Sequence, residues 1–179
     1  MKAPTDVLRD EHAIILNGLA LLEVAASRLE GGDGPPASWW DDVLGWLRVF
    51  ADRNHHAKEE RCLFPAMTKA GVPAESGPIE VMLEEHAQGR ALLQAMATVD
   101  ARQRARATRR YVQLLRDHID KEQGIVFPLA EAVLDEPAVE EVAHAFEIVE
   151  TENSGAASLL GAAAALERLT AVLDVPVAR

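Results

Sequence analysis

The chain has 179 residues, a formal net charge of −11 and a sequence pI of about 5.0. That balance argues against nucleic acid as a partner, because phosphate binding needs a basic face. Hydrophobic residues make up 49% of the sequence, enough for one folded domain with a real core rather than a disordered chain.

Pro4-Thr5-Asp6 offers a helix start, and Leu8, His12, Ile15, Leu19, Leu22, Ala26 and Leu29 then recur at alternating steps of four and three. That is the seam of a helical bundle, and His12 occupies a place in it where an apolar residue belongs. The run Gly31-Gly32-Asp33-Gly34-Pro35-Pro36 ends the helix. Ser38 is read as the N-cap of a second helix, with Trp40, Leu44, Leu47, Ala51, His55, Glu59 and Cys62 on its seam. Pro65 predicts a kink or an ending there.

Gly77-Pro78 opens a third helix, with seam residues Ile79, Met82, His86, Gly89, Leu93 and Met96. A fourth begins near Asp100-Ala101 and carries Tyr111, Leu115, His118, Glu122, Ile125 and Leu129. After Pro137 one further helix is expected, from about Ala138 towards Leu173, rich in Ala and Gly at 155–157 and 161–165. The fold class is therefore all-α: an up-down-up-down four-helix bundle over residues 1–135, with a C-terminal helical extension over 136–179. That extension packs on the bundle or pairs two subunits into a homodimer.

The chain contains an internal repeat. His55-His56-Ala57-Lys58-Glu59 leads to Phe64-Pro65, and His118-Ile119-Asp120-Lys121-Glu122 leads to Phe127-Pro128. The shared pattern is His-x-x-Lys-Glu-x-x-x-aliphatic-Phe-Pro. Asp10-Glu11-His12-Ala13 precedes the first copy and Glu84-Glu85-His86-Ala87 the second. A His and a Glu four apart share one helix face, and together they form half a coordination shell. His12, His55, Glu59, His86, His118 and Glu122 are thus the candidate metal ligands. Two carboxylates can bridge two cations while four imidazoles cap them two apiece. Burying these six groups with no cation between them would be costly.

His56 and Glu60 form a competing pair one residue out of step. Measured from the Phe-Pro markers, His56 aligns with Ile119, so His56 and Glu60 are read as outer groups or surface residues. Tyr111 and Met82 flank the site on the same stripes. Gly89 either permits close helix packing or leaves room for a small ligand. His144 is read as a surface residue paired with Glu141, and Cys62 as a buried thiol. Arg102, Arg104, Arg106, Arg109 and Arg110 form a basic run whose default partners are neighbouring carboxylates.

The pattern of His12, His55-x3-Glu59, His86 and His118-x3-Glu122, with both Phe-Pro markers in register, resembles the hemerythrin-like, HHE cation-binding domain over about residues 5 to 130. The resemblance implies a four-helix bundle around a non-haem di-iron centre. The six candidates are then ligands to two Fe ions, with Glu59 and Glu122 bridging beside an oxo or hydroxo group. The oxygen carriers of the family have a fifth His one turn from the helix-three His, where this chain has Met82 and Arg90. Their second carboxylate is an Asp one residue beyond the position of Glu122.

The function implied is binding of, and reaction with, dioxygen, peroxide or nitric oxide at the four-His two-Glu site. The alternative is an oxygenase, an oxidase or a peroxide-decomposing enzyme acting on a small organic substrate. Iron handling is a weaker third reading. No catalytic residue beyond the metal site is assigned. The single cysteine fits a reducing compartment, no secretory segment is visible at the N-terminus, and the near-apolar run from Gly155 to Leu166 is too short to span a bilayer. The expectation is a cytoplasmic protein without a membrane partner.

Overall fold

The computed structural model describes residues 2–152 and 158–174. Among these the secondary structure is helical throughout, with no strand. The elements are α1 (Pro4–Gly31), α2 (Ala37–Trp46), π1 (Leu47–His56), π2 (Glu59–Leu63), α3 (Phe64–Lys69), α4 (Pro78–Met96), α5 (Ala101–Lys121), π3 (Glu122–Val126), α6 (Phe127–Val133), α7 (Glu136–Glu152) and α8 (Leu159–Val172). Segments α2 to α3 run on as one helical stretch, as do α5 to α6.

The boundaries follow local chemistry. Pro4 and Pro78 open α1 and α4 in the first turn, where a missing N–H costs nothing. Gly32 closes α1 in the left-handed conformation, with φ of 82°. Asp100 caps α5 by accepting from Gln103 N at 2.8 Å. The second helical stretch starts two residues earlier than the cap reading of Ser38 requires: Pro36 is the N-cap, so Ser38 lies inside the first turn.

Pro65 and Pro128 neither end nor interrupt the helical path. Each sits in the first turn of an α-helix that follows a π-helical turn. The π turn inserts a residue, and the seam downstream shifts by one. Ile125 is accordingly 56% exposed, whereas Val126 and Ala130 are buried in the places expected for Ile125 and Leu129.

Beyond the bundle the expected single helix is two, α7 and α8, and Ser158 caps the second by accepting from Gly161 N. Residues 155–157 of the Ala- and Gly-rich stretch lie outside the described residues. α8 packs against α1 and α2 of its own chain, pinned by indole N–H donors: Trp39 to Leu169 O at 2.9 Å and Trp46 to Ala162 O at 3.2 Å.

Two apolar clusters frame the interior. One holds Ile15, Leu19, Leu22, Trp39, Trp40, Phe50 and the buried face of α8. The other holds Leu8, Phe64, Met82, Val126, Phe127 and Phe146. Along α1 the order is Leu8, then Glu11 and His12, then Ile15, so the polar set lies between the clusters. By length and composition alone α1 is apolar enough to cross a membrane. It nonetheless directs the buried Glu11 and His12 inward.

Candidate metal centre

Each of the four helical stretches delivers one of the candidate imidazoles to the interval between the clusters, and two of them add a carboxylate one turn on. His12, His55, Glu59, His86, His118 and Glu122 are all at most 1% exposed. The carboxylates sit in the middle. Glu122 places Oε2 3.1 Å from His12 Nε2 and Oε1 3.1 Å from His118 Nε2. Glu59 places Oε1 3.6 Å from His55 Nε2 and Oε2 3.4 Å from His86 Nε2. Each carboxylate therefore turns one oxygen to the first-half imidazoles and the other to the second-half pair.

Two groups of four residues result, each with ligand-type atoms within 4.8 Å of one another: His12, His55, Glu59 and Glu122, and Glu59, His86, His118 and Glu122. His86 Nε2 and His118 Nε2 approach to 3.0 Å, so both nitrogens aim at one spot. Neither oxygen of Glu59 or Glu122 has a hydrogen-bond partner, and neither does His12 Nε2. Buried carboxylates left this way are costly, and cations at the two spots would satisfy them. The donor set of imidazole and carboxylate suits transition metals such as iron, manganese or zinc.

An outer ring orients the imidazoles, and it follows the internal repeat. His55 Nδ1 donates to Glu11 Oε2 at 2.9 Å, and His118 Nδ1 donates to Glu85 Oε2 at 2.9 Å. Lys58 bonds to Glu11, and Lys121 to Glu85. Each Glu is the residue just before the His of the other helix in its half, and each Lys is the Lys of His-x-x-Lys-Glu. His86 Nδ1 donates to Glu60 Oε1 at 2.8 Å, and His12 Nδ1 lies 3.2 Å from the Gln123 amide. A fixed Nδ1 leaves Nε2 as the free ligand atom. The marker phenylalanines form the walls: Phe127 stacks on His12 at 5.4 Å between centroids, and Phe64 on His86 at 6.1 Å.

The electrostatics reflect this crowding. Burial, and then Glu122 beside it, push Glu59 well above the ordinary carboxylate range. Burial also opposes charge on Glu122, but His118 and His12 outweigh it and hold Glu122 well below that range. Burial lowers His55 to about 4 against the pull of Glu11, so its imidazole is neutral near pH 7.

A family model described as the hemerythrin HHE cation-binding domain matches residues 3–130. The chain belongs to the hemerythrin HHE cation-binding domain family. Similar curated proteins are uncharacterized ones from Mycobacterium bovis and from two strains of Mycobacterium tuberculosis, 26% identical over 97% of this chain and 72% of their own length. No solved structure matches significantly.

All six candidate ligands of this HHE domain fall inside the matched residues, while α7 and α8 lie beyond them. The structure places the neighbouring candidates as follows. His56 is buried, not on the surface, and its ring stacks on His86 at 3.9 Å between centroids. Glu60 backs His86 and is held by Arg90 at 2.7 Å. Met82 belongs to the apolar cluster with Phe64 and Phe127. Tyr111 is buried with no partner for its hydroxyl. Burial raises its pKa, so it stays neutral.

A Cβ on Gly89 would meet Leu115 at 3.6 Å and Tyr111 at 3.8 Å, which is ordinary helix packing. Exposed His144 lies 3.4 Å from Glu147, three residues after it, rather than pairing with the expected Glu141, three residues before it. In the basic run, Arg109 pairs with Glu30, and Arg104 lies over the Trp40 ring. Sequence reasoning did not single out Glu11, Glu85, Lys58 or Lys121. The signal was there, in Glu-His and His-x-x-Lys-Glu each occurring twice.

Proposed function

We propose that this HHE domain holds two iron ions in an up-down-up-down bundle and binds and reacts with dioxygen, peroxide or nitric oxide. His12 and His55 hold one ion, His86 and His118 hold the other, and Glu59 and Glu122 bridge them. The observation that carries this reading is the split of each carboxylate between two pairs of imidazoles, at 3.1 to 3.6 Å. Bound iron supplies the redox chemistry. The chain supplies a dry site, imidazoles fixed by Glu11, Glu60 and Glu85, and bridging oxygens with no competing protein partner. A cytoplasmic location fits this reading.

The test has two parts. Metal analysis of the purified protein should give two iron ions per chain. An absorbance time course then follows mixing of the anaerobic, reduced protein with dioxygen. A band that persists under oxygen and vanishes under argon identifies reversible binding. A transient band that decays to the oxidised protein identifies oxygen activation, and with it an enzyme. Iron loading with no change on oxygen, peroxide or nitric oxide overturns the proposal.

A further inference from the structure

His56 has the features expected of a ligand. It is 4% exposed, and neither ring nitrogen has a hydrogen-bond partner. A buried imidazole normally has a partner for at least one of its nitrogens. One of its nitrogens, together with one each from His86 and His118, forms a group within 4.8 Å. His86 Nε2 and His118 Nε2 already converge, 3.0 Å apart.

The backbone explains how two successive histidines both reach the interior. In an α-helix, with 3.6 residues per turn, neighbours point about 100° apart. Leu47–His56 is π-helical, and its wider turn reduces that angle. His55 thus serves the first spot and His56 reaches the second. One turn either side of His86 stand Met82 and Arg90, so α4 has no second imidazole to give.

A carboxylate also stands behind His56, beyond hydrogen-bond range. Its Nδ1 lies 3.6 Å from Asp52 Oδ1, leaving Nε2 on the opposite edge of the ring. Asp52 is held by Arg90 at 2.7 Å. The same Arg90 holds Glu60, the carboxylate behind His86. One guanidinium thereby anchors the carboxylates behind two adjacent rings.

We infer that His56 is a fifth imidazole ligand, giving the His86–His118 position three imidazoles and the His12–His55 position two. The inference rests on the two-cation reading above. His56 groups with the two imidazoles and not with the carboxylates, so it adds a ligand on the face that Glu59 and Glu122 leave open. The two cations are then inequivalent, and the His12–His55 position keeps more room for an incoming small molecule.

Co(II) is the probe. A histidine bound to Co(II) through one nitrogen carries its remaining N–H as a strongly shifted, solvent-exchangeable proton resonance. The doubly loaded protein should show five such resonances, and His56→Gln should lose one and keep the other four. Chelator competition should show one of the two cations bound about 10- to 100-fold more weakly in His56→Gln, with the other unchanged. Circular dichroism of His56→Gln checks that the helices are kept. Four resonances in the wild-type protein with two Co(II) bound, unchanged in His56→Gln, overturn the assignment of His56 alone. Fewer than two Co(II) bound to the wild-type protein overturns the two-cation reading and this inference with it.

Discussion

Lys58 Nζ and Glu150 Oε1 meet at 2.6 Å, joining the second helical stretch to α7. Lys58 is fully buried and also bonds Glu11, the carboxylate that fixes His55. The repeat-related Lys121 does the same for Glu85 and His118, but its side chain is 37% exposed. The C-terminal helices thus seal one of two otherwise matching triads. Removing the Lys58 charge would strand the buried Glu11 carboxylate, which makes this pair costly to break.

Lys58→Met should therefore cost about 3–5 kcal/mol in denaturant unfolding, the scale for breaking a buried ion pair. Lys121→Met should cost at most about 1 kcal/mol, as solvent already screens that pair. Glu150→Ala should fall between them, since Glu11 still balances Lys58. Chelator competition should show metal held about 10- to 100-fold less tightly in Lys58→Met. Equal losses in the two lysine variants would show that sealing by α7 has no energetic weight.

Much of the fold and site is legible in the sequence because both rest on short-range periodicity. The seams that carry Leu8, Ile15 and Leu19, or Leu44 and Leu47, also carry the imidazoles, so one pattern places helix and candidate ligand together. What was not legible depends on the π turns. An inserted residue leaves composition unchanged yet moves the buried place from Ile125 to Val126, and it brings His56 inward beside His55. Alignment of the two repeats pointed away from His56, because its counterpart Ile119 needs only an apolar neighbour. The outer ring was hidden for another reason. Glu11 reaches Lys58, and Glu150 reaches it again, across separations that no local pattern records.

Metal-free protein should show the titration of His55 in its thermal stability. Burial lowers this imidazole from 6.5 to about 4 in the folded chain. The unfolded chain therefore takes up the proton first, and the contribution of His55 to stability is lost as pH falls from about 6.5 towards 4. Other buried groups titrate in the same range, among them Glu59 with the opposite sign. The clean measurement is a comparison: the loss of melting temperature between pH 7 and pH 4.5 should be smaller in His55→Gln than in the unsubstituted chain, both stripped of metal. An equal or larger loss in the variant would show that His55 is not held neutral by burial.

Two-cation loading should release protons. Glu59 retains its proton well above the usual range when no cation is present, through burial and the neighbouring Glu122. A ligating carboxylate must lose it. Titration of lightly buffered apo protein with a divalent cation, followed by a pH indicator, should show this release, reduced in Glu59→Gln. Apparent affinity should accordingly rise with pH, because each released proton competes with the metal.

Two glycines, one on α1 and one on α4, separate packing from ligand space. A Cβ at Gly18 would lie 2.5 Å from Trp46 Cζ3, against the indole whose N–H pins α8 through Ala162. The same ring stacks on Phe50, with centroids 5.7 Å apart. Gly18→Ala should cost about 1–3 kcal/mol, as overpacking does, and should shift tryptophan fluorescence as Trp46 is displaced. At Gly89 the added methyl meets Leu115 and Tyr111 at ordinary contact distance. Gly89→Ala should leave metal content and its visible spectrum unchanged and raise stability by up to about 1 kcal/mol through helix propensity. A loss of small-molecule binding in Gly89→Ala, with metal content intact, would instead place the entry to the centre beside α4.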